Sequence, residues 1–205
     1  MTVFKMKKIF LLVFLALFIS GCMGGSKVSR VSTDEVTDIS DRWNDTDSRL
    51  VAEEMIGDML TFPWITRFQQ KKTGKIPTVL IQSVRNRSHE HIAIDTFVND
   101  IKRAGIRAGK VDFVVGGEER IDIRDERKDQ DIYASDETRA EMGQEIGADF
   151  VLTGSINSMV DQVGSERVTF YQIDLKLVDM TTNREVWNGQ KKIKKVMKRS
   201  SFSLF

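Results

Sequence analysis

The sequence predicts an α/β fold, a mixed β-sheet sandwich with flanking helices, and three observations carry that reading. From Thr78 to Ile156, short β-type runs alternate with helical patterns, the order expected of strands joined by helical crossovers. Beyond Ile156 the connections around Gly164 and around Thr181–Asn183 are hairpin-length, so the last strands run antiparallel. Along 171–177, Tyr171, Ile173, Leu175 and Leu177 alternate with Gln172, Asp174 and Lys176, giving the sheet one apolar face and one wet face.

The elements follow in order. Asp45 or Thr46 is placed to cap a first helix whose apolar residues Leu50, Val51, Met55, Met59 and Leu60 recur at helical spacing. Pro63 suits the first turn of a second helix through Trp64, Ile65 and Phe68, ending near Gly74. Thr78–Val84 reads as the first strand and 92–103 as a helix with Ile94, Phe97, Val98 and Ile101 on one face. Val111–Val115 is a second strand, closed by Gly116-Gly117. Two more helices are expected, from Glu118 to about Arg127 and from about Asp136 to Ile146 with Gly147 as C-cap, before a third strand from Phe150 to Ile156. Trp187 is expected in the core.

The N-terminus has a different character. Lys5, Lys7 and Lys8 precede an eleven-residue apolar run, Ile9–Ile19, followed by Ser20-Gly21-Cys22. The run is shorter than the roughly 20 apolar residues that span a bilayer and suits the core of a cleaved signal peptide. Small residues before a cysteine match a lipobox, in which the thiol takes a diacylglyceryl group. Cys22 is the only cysteine, and an unpaired thiol is a liability in an oxidising compartment unless acylated. An ordinary cleaved signal and an uncleaved leader are the competing readings. Met23-Gly24 lacks the aspartate that retains many lipoproteins at the inner membrane, so the expected location is the outer membrane, facing the periplasm. The organisation read here is a signal peptide over 1–21, a lipidated tether and N-terminal segment over 22–44, and one α/β domain over 45–205.

Removing residues 1–21 takes three lysines and no acid, so 31 basic residues become 28 against 30 acidic, net −2. That balance argues against a nucleic-acid binder. Catalytic constellations are equally thin. His89 and His91 flank Glu90 at a loop-to-helix junction with no third ligand to complete a metal site, and read as surface polar residues. Gly116-Gly117 suggests a phosphate loop, but Glu118 and Glu119 would repel the phosphate. Glu53 with Glu54, and 118–126, read as solvated helix faces. Lys191, Lys192, Lys194, Lys195, Lys198 and Arg199 read as a solvated edge strand, with anionic lipid or an acidic partner as the alternative.

The candidates for partner contact are Phe170 and Gln172, with Asn86 and Arg87 beyond the end of the first strand. Phe170 falls on the wet face by parity, where an exposed aromatic is a favoured interface anchor. Strand-end irregularity, or cover by a neighbouring element, explains its position equally well. Asn86–Ser88 is placed as a ligand loop at a strand end.

Several segments resemble one family in order: Lys27–Val31 after Cys22, Ser40–Leu50 with Trp43, Val84–Ser88, Gly147–Phe150, Gly154–Ser158, Phe170–Gln172, and Val186-Trp187 through Lys192–Lys195. This pattern resembles the LpoB-type lipoproteins, activators of penicillin-binding proteins. The resemblance implies a fold like the N-terminal domain of TolB, outer-membrane anchoring, and no catalysis or cofactor. It implies as partner a penicillin-binding protein, a bifunctional peptidoglycan synthase whose accessory domain is bound. The tether departs from the long linkers of such proteins: residues 23–45 reach about 75 to 80 Å fully extended. Two other functions stay open, an envelope lipoprotein binding a small molecule or glycan at the strand ends near Asn86 and Gly116, and a metal-dependent hydrolase using His89 and His91.

Overall fold

The computed structural model describes residues 28–138 and 145–199. The apolar run Ile9–Ile19, read as a signal peptide, and Cys22 lie outside the described residues. The chain divides into two units, 1–35 and 36–205. In the first, residues 28–35 are exposed, and Glu35 N donates to Ser32 O while Asp34 N donates to Ser32 Oγ.

The second unit has the order α1 (Asp45–Thr61), α2 (Trp64–Lys71), β1 (Thr78–Arg87), α3 (Ile94–Ala108), β2 (Asp112–Val114), α4 (Gly117–Tyr133), β3 (Phe150–Val163), β4 (Glu166–Asp179) and β5 (Glu185–Lys198). The five strands form one mixed sheet ordered β2-β1-β3-β4-β5. β2 and β3 run parallel to β1, as the helical crossovers require, and β3-β4-β5 is an antiparallel meander. The β3–β4 turn has Gly164 at φ 58, where a left-handed backbone costs glycine nothing.

Helix α1 is capped one or two residues earlier than expected from Asp45 or Thr46. Asn44 is the N-cap: its side chain accepts from Asp47 N, and Asp47 Oδ2 accepts from Asn44 N. The buried face of α1 is Val51, Ala52, Met55, Ile56, Met59 and Leu60. Leu50 turns outward instead, 45% exposed, because its angular position lies off that stripe. These residues join Trp64, Ile65 and Phe68 of α2, Phe97 and Ile101 of α3, and Val79, Phe150, Leu152, Ile156, Tyr171, Ile173, Leu175, Leu177 and Trp187 of the sheet in one core. The Trp187 indole is buried as expected, and its Nε1 donates to Asp58 Oδ2 at 2.7 Å.

Three expectations fail in detail. Strand β1 runs on to Arg87, so Asn86 and Arg87 are strand residues, not a loop. Helix α4 extends to Tyr133 and buries no residue. Of the helix expected over 136–146, residues 136–138 form a turn and 145–148 carry no regular structure, while 139–144 lie outside the described residues.

Candidate functional site

One face of the sheet packs on the helices; the other presents polar rows set by strand register. Arg85, Ser155, Asp174 and Gln190 make one cross-strand row, and Arg87, Asn157, Gln172 and Lys192 the next. Met159, Phe170 and Lys194 follow toward the β3–β4 turn. Asp174 accepts from Gln172 Nε2 at 2.9 Å and Gln190 Nε2 at 2.8 Å. A trough of about 610 Å³ opens on this face, lined by residues that include Arg85, Arg87, Ser155, Asp174, Lys176, Asn188 and Gln190.

Three of the four candidate contact residues therefore share a surface. Arg87 and Gln172 stand in the same row and half-buried Phe170 in the next, as parity in β4 requires. Asn86 does not join them. Alternation turns it toward the opposite face, where its Nδ2 donates to Glu90 O at 2.8 Å and its Oδ1 accepts from Ser88 N and Oγ. The amide braces the β1–α3 loop. The basic run is divided by the same alternation: Lys192 and Lys194 lie on the open face, while Lys191 pairs with Glu54 and Lys195 turns toward α1.

Residues 38–44 form a clamp that sequence reasoning missed. Trp43 inserts edge-on between Phe97 of α3, 6.1 Å away, and Tyr171 of β4, 5.6 Å away. Asp41, 4% exposed, accepts from the Thr169 hydroxyl, and Arg167 Nε lies 2.9 Å from the same oxygen, near enough to pair its charge though off-line for a hydrogen bond. Glu90 Oε1 accepts from Trp43 N and from the Tyr171 hydroxyl. Lys195 Nζ reaches Asp38 at 2.8 Å and Asp47 at 2.6 Å.

The electrostatics follow from this packing. Burial, then the Glu90 carboxylate, push the Tyr171 phenol well above its ordinary value. Burial raises the Asp47 carboxyl against the pull of Lys195. The hydrogen bond from Lys195 holds Asp38 below the usual carboxylate range. Burial works against the charge on Lys195, yet its bonds to Asp38 and Asp47 outweigh that and raise it.

The other candidates have local roles. His89 N and Nδ1 both meet Ser158 Oγ, at 3.0 and 2.9 Å. His89 and His91 line a hollow of about 230 Å³ with Arg42 and Arg167, and among the described residues no group of three metal-ligating side chains occurs. Gly116 is the N-cap of α4, and Glu118 and Glu119 occupy its first turn. Glu53 pairs with Arg49. Among the described residues no helix is long and apolar enough to cross a membrane.

The solved LpoB C-terminal domain from Salmonella enterica is 16% identical with TM-score 0.43, covering 73% of this chain and 99% of that one. The LpoB C-terminal domain from Escherichia coli is 15% identical with TM-score 0.40, over 70% and 98%. Lipoprotein GNA1162 from Neisseria meningitidis is 18% identical with TM-score 0.39, over 62% and 89%. A comparison with curated proteins finds no match. Membership rests on the family profile described as Peptidoglycan-synthase activator LpoB, which the sequence matches over residues 47–193, from the first turn of α1 into β5. Of the Ser40–Leu50 segment, only its last four residues fall within that span. Activators of this family are envelope proteins that act by binding and not by catalysis. The chain belongs to the LpoB family of peptidoglycan-synthase activators.

Proposed function

We propose that this protein is a lipoprotein held at the outer membrane through Cys22, facing the periplasm, which binds a penicillin-binding protein and raises its activity without chemistry of its own. Residues 1–21 are the signal peptide, 22–44 the lipidated tether and N-terminal segment, and 45–205 the binding domain, with a fold like the N-terminal domain of TolB. The family match carries this reading. Activation by binding requires tighter association with the active state of the synthase than with the inactive one.

The contact surface is the open sheet face, where Phe170 supplies the anchor and Gln172 and Arg87 the polar contacts. Asn86 contributes by holding the β1–α3 loop beside them. The test is a pull-down from detergent-solubilised envelopes with the tagged chain. Enrichment of a bifunctional synthase, and a faster synthase when the chain is added, are the expected results; no synthase among the captured proteins rejects the reading.

A second reading, binding of a small molecule or glycan, is favoured by one observation: the trough on the open face is concave and polar. Its lining includes Arg85 and Arg87, on either side of Asn86 in β1, but neither Asn86 nor Gly116, the two positions near which the sequence placed such a site.

A further inference from the structure

The trough lies where the sheet is built to curve. Gly154 of β3 and Gly189 of β5 flank Leu175 of β4 in one cross-strand row. A Cβ at Gly154 would overlap the Asp174 carbonyl oxygen, and one at Gly189 the Trp187 ring. Strand β1 carries a register irregularity between Ile81 and Ser83, beside the same row. Strand glycines and bulges permit close backbone approach and sharper twist, and the hollow of about 610 Å³ sits over them.

Its lining is specific in kind. Apart from Leu175 and the two glycines, every lining residue is polar or charged. Arg85, Arg87 and Lys176 are exposed, and none of their side chains makes an ion pair or hydrogen bond among the described residues. They stand beside the carboxylates of Asp174 and Glu185, the latter held by the Asn188 amide, and the amide of Gln190.

We infer that this trough binds a peptidoglycan strand, the sugar chain with its carboxylate-bearing peptide stems; the inference rests on the second reading above. Three unpaired cations match the stem carboxylates, with the arginines offering bidentate forks. The planar carboxylate and amides beside them match sugar hydroxyls and acetamido groups. Phe170, the apolar anchor proposed for the synthase, lies outside this lining, which is polar where a protein docking site would place its apolar core. From Lys176 to Gln172 the wet face of β4 runs about 14 Å, a linear track suited to an extended polymer. The protein would then hold the product of the enzyme class its family activates.

The test is calorimetric titration of the full chain, extracted in detergent, with soluble uncrosslinked glycan strands carrying their stems and with no synthase present. The same strands stripped of stems by an amidase, and an oligoglutamate peptide, are the comparison ligands. The stemmed strands should bind, and both stem removal and the double variant Arg85→Gln/Lys176→Gln should weaken binding about tenfold or more. Thermal unfolding of the variant should match the parent, because both side chains are exposed. Absent binding, equal binding without stems or in the folded variant, or equally tight oligoglutamate overturns the inference; the last result assigns the face to an acidic protein. With no synthase in the cell, failure here leaves the synthase reading standing, and an empty pull-down leaves a positive titration standing.

Discussion

Lys195 on the edge strand β5 places its amine 2.6 Å from the Asp47 carboxylate in the first turn of α1, with both side chains about nine-tenths buried. The same amine holds Asp38, so one cation fastens the N-terminal segment and the first helix to the sheet. Lys195→Met strands a buried carboxylate and should cost about 3 kcal/mol in urea unfolding. Lys194→Met, one residue away on the open face, should cost less than about 0.5 kcal/mol. Equal effects would show that the pairing adds nothing. The value of Lys195 is raised, so its contribution is complete below the ordinary 10.5 and fades as pH climbs through the higher folded value. Asp38 is lowered, so its contribution is present above 3.8 and fades as pH falls.

Tyr171 gives a second pH signature. Its raised value means the folded state keeps the phenol proton after the unfolded chain has lost it, so this stability is present below 10.0 and lost as pH rises above that. In a Tyr133→Phe background Tyr171 is the sole tyrosine reporter, since the chain has two. Phenolate absorbance should stay flat through pH 10 and rise only well above it or on unfolding. Ordinary titration near 10 would contradict the buried pairing with Glu90.

Gly154→Ala should be costly, because the added methyl overlaps both the neighbouring strand's backbone and the Leu175 side chain. The added methyl meets the Asp174 carbonyl, which the strand ladder holds in place. About 2 to 3 kcal/mol of destabilisation by chemical unfolding is expected, the range of overpacking. A neutral result would mean that β3 and β4 separate freely there.

Phe170→Ala should separate binding from folding. The ring is half-buried on the open face, outside the core cluster, so unfolding should shift by under about 1 kcal/mol. Affinity for the synthase should fall about tenfold or more if the ring is the interface anchor. An unchanged titration would remove Phe170 from the contact surface.

If the proposed acyl chains on Cys22 supply the attachment, at about 0.8 kcal/mol per buried methylene, Cys22→Ala should move the protein from the membrane fraction to the soluble periplasm. Fractionation followed by immunoblotting reads this directly. A variant still sedimenting with membranes would refute lipid anchoring at that residue.

What the sequence made legible was whatever a short window encodes. Alternation from Tyr171 to Leu177 placed the core face of β4, and hairpin-length turns placed the meander. The basic run near the C-terminus was read as one solvated edge. The same parity, applied to β5, sends Lys191 and Lys195 inward, but their acidic partners Glu54, Asp38 and Asp47 lie more than a hundred residues away. The clamp of Asp41 on Thr169 and Trp43 on Tyr171 was invisible for that reason. A candidate signal lay in the Ser40–Leu50 segment itself, polar apart from Trp43 and Leu50, where an isolated tryptophan asks what covers it. Arg87 was placed beyond a strand that continues through it, because nothing local to Val84 marks an end. That error left its outward direction unread.

The fastening of residues 38–44 also sets the length of the leash. If Cys22 carries the proposed lipid, residues 23–37 reach at most about 50 Å at full stretch before the clamp begins at Asp38. That anchor would confine the domain to a thin shell beneath its own membrane. A synthase rooted in the opposite membrane would then have to cover most of the intervening distance itself, so encounter would depend on the enzyme's height and not on the activator's reach.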